Sequence, residues 1–175
     1  MSALTLIDSV SLSGGASTVT LGGANWDNSF DVYKVVISNL EFDTDTRAVA
    51  FRYLDSSNAT IDDSNYKVAF EVLKANTGFE NAYGSGTHSH ITDLYIGTGT
   101  GECANLVMYL FNSNDANEYS FHTLEAVYLS NDPYTKGQQG GGVLLNKEVT
   151  KGVQLFCTAS GNFDEGEFRL YGLKK

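Results

Sequence analysis

Apolar and polar residues alternate with a period of two along most of this chain, in short runs separated by Gly, Asn, Asp and Ser. That is the pattern of half-buried β-strands joined by turns. Leu4, Leu6, Val10 and Leu12 share one parity and Thr5, Ser9 and Ser11 the other, with Ile7 and Asp8 breaking the run where a bulge or strand break fits. A turn over residues 13–16 and a short strand over 17–21 follow. Residues 30–38 predict the strongest strand, with Tyr33, Val35 and Ile37 on one face and Val32 and Val36 on the other. A strand apolar on both faces is central in its sheet, and residues 106–111 read the same way. Further strands are predicted over residues 47–54, 66–72, 91–97, 119–129, 143–145 and 153–158. Residues 162–173 read as a turn feeding a closing strand that sits inside a sheet or near its edge, with Phe168 and Leu170 toward the core and Arg169 outward. Two glycine-bearing polar stretches are read as non-strand: 75–89 as a long surface loop and 138–142 as a loop or bulge. About ten short strands at this spacing predict an all-β, antiparallel two-sheet sandwich.

Composition agrees with that class and narrows it. A chain of 175 residues, 42% hydrophobic and 12% aromatic, fills one substantial core, so a single domain over 1–175 is expected. Eighteen glycines and one proline suit many turns. The net charge of −10 argues against a nucleic-acid surface, because phosphate binding needs clustered Lys and Arg and the chain has 11 of them. No basic segment followed by an apolar block opens the chain, and no stretch is long and apolar enough to span a membrane. The expectation is a soluble protein made in a cytoplasm.

Candidate chemistry is sparse. In an extended segment His88 and His90 project from one face and offer two ligands to a metal, and three copies around an axis would offer about six. With no cysteine and no third histidine close by in sequence, the plainer reading is two polar residues at a loop-to-strand junction, and His122 is read as unrelated. Asp43-Thr44-Asp45 and Asp62-Asp63 lack the spacing of a calcium loop and read as solvated turns. Residues 97–101 are glycine-rich but precede no helix, so they read as a turn and not a phosphate cradle. Cys157 lies in an apolar run and reads as a buried thiol, with a disulfide to Cys103 left open. Trp26, in the loop after residue 21, reads as a lid over the sandwich edge. No Gly-x-Ser-x-Gly elbow is present, and no enzyme, catalytic residue, cofactor or resident metal is expected.

Two segments carry a resemblance. The closing Gly166-Glu167-Phe168-Arg169-Leu170-Tyr171-Gly172, and the Tyr33-Lys34-Val35 strand running into Ser38-Asn39-Leu40, resemble a group of virion proteins of tailed bacteriophages: jelly-roll modules found as head decorations and as fibre or tail-appendage domains. The resemblance implies a jelly-roll sandwich and a non-catalytic capsid decoration or cement protein, with a virion location. It also implies a homotrimer whose partners are the major capsid protein or tail proteins. Interfaces are then expected at residues 75–89, 134–142 and the N-terminal segment. The alternative within that group is a fibre or tail-tip module recognising host-surface glycans through Trp26, Phe79, Tyr83 and Tyr134. A free-standing lectin-like protein is a third reading of the same fold.

Overall fold

The computed structural model describes residues 4–92, 96–132 and 134–173. Among them twelve strands form two antiparallel sheets. The strands are β1 (Leu4–Ala16), β2 (Thr18–Gly22), β3 (Val32–Phe42), β4 (Val49–Tyr53), β5 (Tyr66–Lys74) and β6 (Gly78–Gly86), then β7 (Ser89–His90), β8 (Ala104–Phe111), β9 (Ser120–Leu129), β10 (Thr135–Leu144), β11 (Gly152–Cys157) and β12 (Phe163–Leu173). The large sheet runs β1-β12-β3-β8-β9-β10-β5-β6 and the small one β2-β11-β4-β7.

The pairing order explains the architecture. β1 pairs with β12, β2 with β11, β3 with β8 and β4 with β7, so the chain is one long double-stranded ribbon folded over on itself. Its successive strands pass alternately into the large and the small sheet. Two four-strand sheets ordered 1-12-3-8 and 2-11-4-7 have jelly-roll connectivity, within the antiparallel two-sheet sandwich predicted from the sequence pattern. Two hairpins are inserted into this body: β5–β6 between β4 and β7, and β9–β10 between β8 and β11. Both add to the free edge of β8 and widen that sheet to eight strands.

The body holds one core. Tyr33, Val35 and Ile37 of β3, Met108 and Leu110 of β8, Phe51 and Tyr53 of β4, Val153 and Leu155 of β11 and Phe168 and Leu170 of β12 are all buried in a single cluster between the sheets. β3 and β8 lie inside the large sheet, as their two apolar faces require. β12 sits between β1 and β3, and Arg169 points outward, 3.1 Å from Glu167. Gly172 is needed there: a Cβ would stand 2.3 Å from the ring of Phe30, which packs flat against the strand.

The structure corrects five readings. The register of β1 slips between Leu6 and Asp8, leaving Ile7 as an extra residue. That bulge turns Leu4 and Leu6 to the outer face, 51% and 53% exposed, while Ile7, Val10 and Leu12 pack on the core, so the shared parity of the leucines did not mean a shared face. The turn expected over 13–16 belongs to β1, with a second register shift there. Residues 78–86, read as loop, form the outermost strand β6, and 138–142, read as loop or bulge, lie inside β10 with partners on both sides. A side chain has no room at residues 140–142 of β10. A Cβ at Gly140 would come 2.4 Å from the Ala69 carbonyl, and one at Gly142 would come 2.3 Å from that of Lys67. Last, the strand expected over 91–97 is reduced to Ser89–His90 and an isolated bridge at Ile96; residues 93–95 lie outside the described residues.

Candidate functional site

The widened sheet presents two surfaces: an inner face closed by side chains and an outer face open to solvent. On the inner side, the inserted hairpins have a small core of their own, Val68, Phe70 and Val72 with Ala82 packed on it, separate from the main cluster. Tyr66 of β5, Leu124, Ala126 and Tyr128 of β9 and Leu144 of β10 join the main cluster of the body, and buried polar groups lie beside them. His122 of β9 is buried, its Nε2 2.9 Å from the Ser89 hydroxyl. Gln138 of β10 donates through Nε2 to the Ile91 carbonyl at 2.6 Å. Lys136, also buried, reaches the carboxylate of Asp132 at 2.8 Å. Burial pushes the His122 imidazole down to about 3, so the ring is neutral at pH 7, and its Nδ1 has no hydrogen-bond partner among the described residues.

Strand alternation separates the three histidines. Ser89 points inward to His122, whereas His88 and His90 point outward with ring centroids 4.8 Å apart. His122, read from the sequence as unrelated to this segment, is therefore its hydrogen-bonded partner, through the middle residue. It does not join the histidine pair. Arg52 lies beside that pair, donating to the Thr87 carbonyl at 3.1 Å and covering the Phe156 ring that His88 meets edge-on. Burial, then His90, then Arg52 hold the His88 imidazole below its ordinary range. This sets two imidazoles beside one guanidinium; no group of three or more His, Cys, Asp or Glu comes together among the described residues.

The remaining candidates take structural places. Trp26 stacks on the buried Tyr33 ring at 3.8 Å and donates to the Asn114 side-chain oxygen at 3.1 Å, closing one end of the sandwich as the lid reading expects. Asn114 also donates to the Phe30 carbonyl at 2.7 Å and the Tyr33 hydroxyl at 2.6 Å; burial raises that phenol to about 12. Asp43 accepts from the backbone and side-chain nitrogens of Asn162, both at 2.8 Å, which ties two turns together and holds its carboxyl below the usual range. Asp63 accepts from Asn146, and Asp62 is exposed. Cys103 and Cys157 are free thiols. No helix among the described residues is long and apolar enough to cross a membrane.

The outer face is where open apolar surface collects. On β6, Phe79 is 68% and Tyr83 89% exposed, on the same side as Leu73 of β5, with which Phe79 is paired. Toward the centre, a shallow groove of about 500 Å³ runs over β3, β8 and β9, walled by Val36, Val107, Glu125 and Val127. The chain matches no protein-family model and no curated protein. Function must therefore be argued from these surfaces. Trp26 and Tyr134 do not stand with Phe79 and Tyr83: Trp26 closes the sandwich end, and Tyr134 lies just before β10. The four aromatics named for sugar stacking thus reduce to one exposed pair, roughly 13 Å apart along β6.

Proposed function

We propose that this chain is a non-catalytic structural protein of a tailed-phage virion, a decoration or cement protein of the head. The observation that supports this most is the pair of hairpins built onto a complete jelly roll. They widen one sheet and end in an edge strand, β6, that holds Phe79 and Tyr83 open to solvent. Open aromatics on a rigid sheet are docking chemistry, because large rings give contact area while the backbone beneath them is already ordered. An edge strand adds the means to extend a partner's sheet. Such a module stabilises a shell by spanning joints between subunits, its binding energy undiminished by an ordering cost. The net charge of −10 directs it toward a basic or apolar partner surface. Heads assembled with and without the protein test this directly: a raised thermal midpoint of the decorated heads is expected, and equal midpoints would overturn the cement role.

The glycan-binding alternative draws on the same exposed pair, since aromatic faces also stack on sugar rings. A glycan array separates the two. Binding that disappears in Phe79→Ala and Tyr83→Ala would favour a host-recognition module, and a blank array leaves the head reading in place.

A further inference from the structure

We propose that the outer face of the eight-stranded sheet from β12 to β5, centred on β3, β8 and β9, binds a second copy of this chain across a two-fold axis. It does not rest on the virion reading, and it sets a dimer against the homotrimer that the resemblance implies. Three properties of the face point to it.

The first is pattern. β3 and β8 carry Val32 and Val36, and Val107, Tyr109 and Phe111, on the side facing away from the core, and β9 adds Phe121 and Val127. Strands that read as apolar on both sides are strands covered on both sides. The inner cover is the small sheet; no strand among the described residues covers the outer side.

The second is size. From β12 to β5 the face is six strands wide, and its strands are eight to eleven residues long. That makes roughly 29 by 30 Å, or about 850 Å², close to the ~800 Å² per partner of a stable interface.

The third is charge, which selects the occupant. The chain is at −10, so most of its surface repels a second copy. This face does not. Short of the kink at Asn39, its charged residues are Glu167, Arg169, Lys34, Glu125, Lys67 and Glu71, three of each sign. Only Lys34 and Glu125 stand in its centre, on either side of β8: Lys34 is paired in register with Tyr109 and lies over its ring, and Glu125 is paired with Val107. An isologous contact requires a patch complementary to itself. A two-fold axis lying in the contact plane and crossing β8 between Tyr109 and Val107 exchanges these two positions. Lys34 of each copy then meets Glu125 of the other, with the valines and Tyr109 packed between.

The test is the mass of the intact protein by light scattering across a concentration series, on the wild type, Lys34→Glu, Glu125→Lys and the double variant, with circular dichroism to verify folding. Expected is a wild type at twice the 18.9 kDa chain mass. Each single reversal, which opposes like charges at two symmetric points, should weaken the pairing at least tenfold. The double variant should regain it, and an equimolar mixture of the two single variants should form a heterodimer. Both side chains lie at the surface, so the reversals leave the fold intact. A monomer or trimer for the wild type, or a dimer indifferent to both reversals, would overturn the proposal.

Discussion

The jelly-roll body and the pair of inserted hairpins share one continuous sheet and part of one core, yet the hairpins add buried polar contacts of their own. The body is closed by a single large apolar cluster that includes Tyr33, Tyr53, Phe51, Phe163 and Phe168, each with almost no exposed surface. The hairpins share that cluster through Tyr66, Leu124, Ala126, Tyr128 and Leu144, and add a small core of Val68, Phe70 and Val72 and buried hydrogen bonds from His122 and Gln138 to the segment carrying Ser89 and Ile91. Apolar burial is indifferent to pH, whereas a buried imidazole is not. The extension thus adds a pH-sensitive contact to a core that both regions share.

The strongest perturbation of the body should be Phe168→Ala, which empties part of the main core. We expect a loss of about 3–5 kcal/mol, in chemical denaturation, with body and hairpins lost together. Acidification should strike the other region. His122 is neutral in the fold, its pKa pushed down to about 3, while in the unfolded chain it titrates near 6.5. The folded state therefore binds fewer protons between those values. Its stabilisation is complete above about pH 6.5 and is lost as the pH falls through that window, about 2–3 kcal/mol by pH 4.5. A denaturation series from pH 7.5 to 4.5 measures the slope, and His122→Gln should flatten it. Ser89→Ala leaves the imidazole Nε2 buried without its partner, and should cost about 1–3 kcal/mol. Smallest of all, Phe79→Ala and Tyr83→Ala should change stability by less than about 0.5 kcal/mol, because both rings are largely in solvent. A larger loss would show β6 to be part of the scaffold rather than a displayed surface.

How legible each region is in the sequence follows from the same contrast. β3, β8 and β12 announce themselves because their apolar positions answer to one core through simple alternation. At residues 140–142 of β10, close approach of neighbouring backbone requires glycine, and three glycines in a row look like a turn. β6 has little core to serve, so its pattern carries no strong period; the exposed Phe79 and Tyr83 were visible as aromatics in a supposed loop, but not as neighbours on one strand face. The bulge at Ile7 was marked by broken alternation, yet only pairing with β12 reveals which way the leucines turn. Of the candidate site, the histidine motif was plain, whereas the tie between Ser89 and His122 depends on contacts 33 residues apart that no local pattern encodes.

The contrast between scaffold and extension is tested most directly by amide hydrogen exchange, resolved by strand, at pH 7 and again near pH 4.5, corrected for the intrinsic exchange rate. The account predicts that protection in β3, β8 and β12 changes little, while β9, β10, β5 and β6 lose protection together at the lower pH. Equal loss across all eight strands, or a protected extension at pH 4.5, would contradict it.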